Sequence, residues 1–251
     1  MPMKIVLLGD SITQGLGSKK ISFVKELQKL TGEETKIINL ALTGTTILYA
    51  IDILDKIKEE KADLVLILYG NVDAQIRPNR EGFIFKKLPT RFKINNGSMI
   101  SPRPFYSQQW YKKILQKGEN LLRTIIRKLI YAVDGIEQWV DISEFEMNYC
   151  LLCDKLNDLR IKYFLCSTVY IDNKLFPGSL EEYAKYNNVI KKLSIRNQVP
   201  FIDIYSMFST AVLEKGWSKY YNYDHFHPNE SGYILMAEKI AKEIGKWENE
   251  D

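Results

Sequence analysis

Lys4-Ile5-Val6-Leu7-Leu8-Gly9-Asp10-Ser11-Ile12-Thr13-Gln14-Gly15 is the segment on which the architecture of this chain turns. Lys4 to Leu8 forms a short, nearly unbroken apolar run that stops at Gly9. Such a run, without alternation, suits a strand buried on both faces, as in a parallel sheet. Working outward, Lys36–Leu40, Leu64–Leu68, Ile161–Cys166 and Phe201–Ile204 after Pro200 read the same way. Helical stretches fall between them: around Ser22–Leu30, from a cap at Thr45 or Thr46 to about Glu60, over Glu144–Leu159 and over Leu180–Ile195. A last helix is expected from Pro228, in its first turn, to about Trp247. Strands alternating with helices predict an α/β fold: βαβ units with a central parallel sheet of about five strands, covered on both faces. Ligands bind beyond the carboxyl ends of such strands. Attention therefore falls on Gly9–Ser11, Ala41–Thr45 and Tyr69–Asp73.

The 251 residues are 45% hydrophobic and 26% charged, which excludes a disordered or fibrous chain. A net charge of +4 is too weak a bias to suggest a dedicated nucleic-acid binder, and no nucleic-acid partner is expected. The three cysteines are an odd set in a long chain and argue against a disulfide framework. Cys150-x-x-Cys153 falls on a predicted helix and lacks the second pair a structural metal needs, and Cys166 belongs to a core strand. The apolar run near Met1 is too short for a secretory leader, and no apolar stretch reaches 18 residues, so the expected compartment is the cytoplasm. One domain, residues 1–251, is expected. No G-x-x-x-x-G-K-[ST] and no strand-linked G-x-G-x-x-G is present, so no cofactor is expected.

Residues 75–131 interrupt the alternation as a basic, aromatic-rich insertion after the third strand, with 13 Lys plus Arg against 2 Asp plus Glu. The insertion contains Phe83, Phe85, Phe92, Phe105 and Tyr106, and ends in a predicted helix, Trp110–Tyr131, with apolar residues at three- and four-residue spacing. Three roles fit it. The plainest is a lid-like subdomain that buries the apolar stripe on the core, with its lysines in solvent. The others are a cradle for an acidic glycan and an interfacial helix on anionic lipid.

The chemistry-bearing residues lie at the two ends of the chain. Ser11, placed just after a strand and before a helix, is either a helix cap or a nucleophile, and a nucleophilic serine needs a base. Only two histidines exist, both in Tyr223-Asp224-His225-Phe226-His227-Pro228-Asn229. Asp224 and His227 are three apart, which in a helical turn places them on one face. The aspartate could then hold Nδ1–H and leave Nε2 for Ser11. His225 would point elsewhere. The competing readings are a surface loop and a metal site using the H-x-H pair.

Gly9-Asp10-Ser11-Ile12 and Asp224-His225-Phe226-His227-Pro228-Asn229 together resemble the first and last blocks of the GDSL-type esterases, the SGNH hydrolase family. The resemblance implies a flavodoxin-like three-layer α/β/α sandwich and a Ser11–His227–Asp224 triad. Asn39-Leu40-Ala41-Leu42-Thr43-Gly44 is similar to the second block, which assigns an oxyanion-hole N–H to Gly44 beside that of Ser11. The third block, glycine-x-asparagine-aspartate in the family, reads Gly70-Asn71-Val72-Asp73 here. Val72 replaces the asparagine, and Asn71 stands one position early, where only a local bend would bring it to the oxyanion. Asp10, Asp73, Arg77 and Tyr223 are expected near the substrate, with Arg77 either binding an anionic group or pairing with Asp73 or Asp10. Arg80 is expected in solvent. The implied activity is a serine esterase acting on small acyl esters, such as acetyl groups, of a carbohydrate or glycan precursor. The alternative is a glycan-binding or acyl-transferring protein on the same fold.

Overall fold

The computed structural model describes residues 3–18, 21–89 and 101–249. Its strands are β1 (Lys4–Gly9), β2 (Lys36–Asn39), β3 (Leu64–Leu68), β4 (Arg77–Pro78), β5 (Ile136–Glu137), β6 (Lys162–Cys166) and β7 (Phe201–Ile202). The helices are α1 (Ser11–Gln14), α2 (Phe23–Thr31), α3 (Ile47–Asp52), α4 (Leu54–Glu60), α5 (Phe83–Lys87) and α6 (Trp110–Val133). They continue with α7 (Ile142–Asp158), α8 (Ser179–Asn197), α9 (Ile204–Lys215), α10 (Trp217–Tyr220) and α11 (Glu230–Glu248).

Five strands form a parallel sheet in the order β2-β1-β3-β6-β7. The apolar runs explain it: Ile5 to Leu8 and Leu64 to Ile67 are wholly buried, as strands covered on both faces must be. Helices flank the sheet: α2 packs with α11, and α7 packs with α3 and α8. The chain leaves β1 toward β2 on one side and β3 on the other. The crevice beyond the carboxyl ends of β1 and β3 is therefore the topological switch point.

Three boundaries differ from expectation for local reasons. The helix expected from Thr45 or Thr46 to Glu60 is broken at Ile53 into α3 and α4. The strand expected to reach Ile204 stops at Ile202, because the Asp203 carboxylate accepts the Ser206 N–H and starts α9. The last helix starts after Pro228, capped by the Asn229 side chain, which accepts the Gly232 N–H at 3.1 Å.

The larger correction concerns the insertion. Helix α6 forms as expected, but its apolar stripe does not bury on the core: Leu115 is 71% exposed, Leu121 63% and Ile125 56%. The inward face is the polar one. Glu119 there bridges Arg103 and Arg123, and Arg127 donates to the Leu175 carbonyl. Among the described residues, a small cluster of Phe85 and Ile130, with Ile84, Leu88 and Ile126, gives this region an apolar core of its own. Phe92 and the rest of 90–100 lie outside the described residues.

Candidate active site

The loop after β1 is built for close approach. A Cβ on Gly9 would lie 2.1 Å from the Thr13 hydroxyl and 3.0 Å from the Leu68 carbonyl oxygen, so no larger residue fits. Asp10 then caps α1, its Oδ1 accepting the Ile12 N–H at 2.9 Å. Ser11 is the first residue of that helix. Its N–H has no hydrogen-bond partner among the described residues, as expected at an N-terminus.

The loop that carries the histidines is closed by Asn222, to which the sequence assigns only a place in the Tyr220–Tyr223 run, either lining the pocket or packing the loop. Its Nδ2 donates to the carbonyls of Gly17, His227 and Pro228 at 3.0–3.1 Å. One side chain thus ties residue 17 to residues 227 and 228. Tyr233 adds a second tie, its hydroxyl donating to the Leu16 carbonyl at 2.7 Å. Asp224 and His227 do not lie on a helix. Asp224 Oδ1 accepts the N–H groups of Phe226 at 3.2 Å and His227 at 3.1 Å, an Asx-type turn that curls the loop back on itself.

That turn leaves Asp224 Oδ2 2.6 Å from His227 Nδ1, and His227 Nε2 3.1 Å from Ser11 Oγ. A carboxylate only accepts, so Asp224 selects the Nδ1–H tautomer, and Nε2 is left to accept the Ser11 hydroxyl. Two chain ends 216 residues apart meet in one hydrogen-bonded series. His225 turns away: its Nδ1 lies 2.6 Å from Asp172 Oδ2, and its ring stacks on Trp217 at 4.8 Å. Among the described residues no group of three or more His, Cys, Asp or Glu could hold a metal ion.

Gly44 sits in the loop after β2 with φ of 76°, a conformation that favours glycine, and its N–H has no partner among the described residues. The loop is fastened to α1. Asn39 Nδ2 donates to the Thr13 carbonyl at 2.9 Å, and Gln14 Oε1 accepts the Thr43 N–H at 3.0 Å.

The loop after β3 departs most from expectation. Asp73 is fully buried and accepts the N–H groups of Ile47 at 2.9 Å and Gly70 at 3.0 Å, joining α3 to the sheet. Asn71 is buried, with Oδ1 on the Val169 N–H at 2.9 Å and its carbonyl on the Tyr183 hydroxyl at 2.6 Å. Arg77 is buried too. It donates to the carbonyls of Val72 at 2.6 Å and Gln75 at 3.0 Å, and stacks 3.8 Å above Trp139. Asp10, Asp73 and Arg77 are therefore sealed from substrate, contrary to expectation. Arg77 forms no ion pair with Asp73 or Asp10 among the described residues: its two terminal nitrogens donate to the Val72 and Gln75 oxygens instead, and its Nε has no hydrogen-bond partner there. Arg80 pairs with Glu137 rather than lying free in solvent. Tyr223 alone of the four expected substrate residues is exposed. Its ring meets Tyr106 edge-on at 4.9 Å, and its N–H donates to the Pro104 carbonyl at 3.2 Å. The insertion thus reaches the loop that carries Asp224. A cleft of about 570 Å³ opens there, lined by Phe105, Tyr106, Lys219, Asn222 and Glu230.

Burial raises the Asp10 carboxyl to about 6, with the Ile12 N–H, Asn71 and His227 opposing it. Burial also raises Asp73 to about 7, offset in part by the Ile47 N–H. Between the ordinary carboxylate range and these values the folded chain holds more protons than the unfolded one, so stability falls as pH rises through that window. Glu119 and Glu243, held low by their Arg and Lys partners, titrate below it. The thermal unfolding midpoint is expected to be several degrees higher at about pH 5 than at about pH 8. A scan of midpoint against pH that rises over this interval would contradict the assignment.

The model of the GDSL-like lipase/acylhydrolase family matches residues 7–235, and the chain belongs to that family. Among solved structures, an acetylxylan esterase of Geobacillus stearothermophilus, crystallised as a catalytic mutant, is similar at 15% identity and a TM-score of 0.63, over 98% of this chain and 96% of that one. A lipase/acylhydrolase from Enterococcus faecalis is 20% identical at a TM-score of 0.61, over 96% and 95%. The acetyl xylan esterase AlAXEase is 19% identical at 0.61, over 96% and 100%. At these identities the likeness bears on the fold, the α/β/α sandwich of SGNH hydrolases. No curated protein matches the chain in sequence. Among the described residues no helix is long and apolar enough to cross a membrane.

Proposed function

We propose that this protein is a serine esterase that hydrolyses small acyl esters, with Ser11 as nucleophile, His227 as general base and Asp224 as its orienting carboxylate. The observation that carries the proposal is the continuous contact from Ser11 Oγ through the His227 ring to Asp224, at 3.1 and 2.6 Å. In the acylation step Ser11 Oγ bonds to the ester carbonyl carbon while its proton passes to His227 Nε2. The carbonyl oxygen, now negative, is held by the N–H groups of Ser11 and Gly44. Collapse expels the alcohol, which takes the proton from His227. Water then enters by the same route and releases the acid. With Val72 at the third-block position and the buried Asn71 amide oxygen held by the Val169 N–H, the oxyanion rests on the two backbone N–H groups.

The substrate class we favour is an acetylated carbohydrate. The acetylxylan esterases among the similar structures support it, as does the aromatic pair Tyr106 and Tyr223 beside the triad loop. The second reading, a glycan-binding or acyl-transferring protein, draws on Val72, an apolar and buried residue at the third-block position. A fluorophosphonate probe separates hydrolytic competence from a decayed site. Labelling is expected at Ser11, with fluoride lost as Oγ bonds to phosphorus. A chain that stays unlabelled while folded favours the binding reading.

A further inference from the structure

Helix α6 is amphipathic in the inverted sense. Its 24 residues span about 36 Å at 1.5 Å per residue. Tyr111, Ile114, Leu115, Leu121, Leu122, Ile125, Leu129 and Val133 recur on one side of it, and every one of them is exposed. Trp110, at the start of the helix, is 74% exposed. A stripe of this length on a helix whose opposite face is fastened by Glu119, Arg123 and Arg127 is not a failed core contact. The helix is held in place by its polar side, and its apolar side is presented outward.

Charge decides what covers it. Exposed Lys117 and Lys128 border the stripe along one side, and exposed Lys112 lies at the start of the helix. The single acidic residue of the helix, Glu119, is already paired with Arg103 and Arg123. Exposed Phe83 and Lys87 on the adjoining α5 repeat the pairing of apolar ring and ammonium, at 3.9 Å. A second copy of this chain would bring lysine borders against lysine borders. An anionic bilayer surface meets both features at once: headgroups take the lysines, and the acyl boundary takes the stripe.

We propose that α6 docks the protein onto anionic lipid surfaces, lying in the plane of the interface with the Leu115–Leu122–Ile125 side inserted. The docked helix is connected to the triad loop. The segment before α6 holds Tyr223 through the Pro104 carbonyl, and Arg127 of α6 donates to the Leu175 carbonyl and lies 5.7 Å from the Phe176 ring, which packs on Phe226. Docking would therefore hold the candidate active site at the membrane surface. The inference does not depend on the esterase reading.

The test is sedimentation of the full chain with two kinds of vesicle, phosphatidylcholine alone and phosphatidylcholine with about 30% phosphatidylglycerol. Binding is expected to the anionic vesicles only, weakening at least about tenfold as salt rises from about 0.05 to 0.5 M. The triple substitution Leu115→Gln, Leu122→Gln, Ile125→Gln changes exposed positions only. It should keep the far-ultraviolet circular dichroism and thermal midpoint while lowering binding at least about tenfold. Lys112→Glu with Lys117→Glu and Lys128→Glu should remove the preference for anionic vesicles. No binding to anionic vesicles at low salt, or equal binding by the triple variant, overturns the proposal. So does a concentration-dependent dimer in sedimentation velocity that the triple substitution dissolves, which would assign the stripe to a second copy.

Discussion

In the Ser11→Ala variant, turnover of a short acyl ester such as p-nitrophenyl acetate falls about 10⁴- to 10⁶-fold, while the thermal midpoint stays near that of the parent. Both halves of this expectation come from geometry. The only side-chain hydrogen bond of the Ser11 hydroxyl among the described residues is with His227 Nε2, so its removal deletes the proposed nucleophile and little else. A serine at a strand-to-helix turn is often a cap, and deleting a cap costs about 1 kcal/mol of stability. Here the capping bond belongs to Asp10, whose Oδ1 holds the Ile12 N–H. The free N–H groups of Ser11 and Gly44 persist in the variant, which leaves a residual rate above that in water. The measurement is steady-state kinetics beside a thermal melt. Unchanged turnover removes Ser11 as nucleophile, and a large drop in midpoint with it returns the residue to a structural role.

The sheet was legible because its signal is one-dimensional. Ile5–Leu8 and Leu64–Leu68 are unbroken apolar runs, and only burial on both faces explains them. The meeting of Ser11 with His227 was legible too, since two histidines in 251 residues leave little choice of base. How the meeting is made was not. Asp224 and His227 share a face through an Asx-type turn rather than a helical one, and spacing alone does not distinguish the two. Asn222 left no periodic signal. What could have drawn attention to it is an amide beside the Asp-x-x-His segment, where a loop must satisfy its own carbonyls. Asp10, Asp73 and Arg77 were misplaced for the opposite reason. Charge at a strand edge suggests substrate, whereas these three satisfy backbone groups inside the protein, at the energetic cost that the raised Asp10 and Asp73 values record. Helix α6 marks the clearest limit. Periodicity locates an apolar stripe but not the direction it faces. That direction is set by Arg103 and Leu175, which meet Glu119 and Arg127 from distant segments.

Asp224→Asn is expected to lower kcat about 10⁴-fold near neutral pH with the loop intact. Asp224 does two jobs with two oxygens. Oδ1 builds the turn by accepting from Phe226 and His227 N–H, and Oδ2 accepts from His227 Nδ1. Asparagine keeps one acceptor. If its oxygen stays at the Oδ1 position, the turn survives and the new amide N–H points at Nδ1. The imidazole must then carry its proton on Nε2, where it faces the Ser11 hydroxyl as a donor and no longer accepts its proton. If the amide flips, the tautomer is restored, but an NH₂ group confronts two backbone N–H donors in a buried loop. Each donor left unsatisfied costs about 1–3 kcal/mol. The unflipped state wins, so the variant separates proton chemistry from loop building. Asp224→Ala removes both and should add a loss of stability of about 2–4 kcal/mol, because the Phe226 and His227 amides lose their acceptor inside the protein. A thermal melt beside kcat distinguishes the two variants. Asp224→Asn retaining more than about a tenth of parental turnover would mean that His227 is oriented by something other than this carboxylate. Asp224→Ala melting with the parent would mean that the turn does not need it.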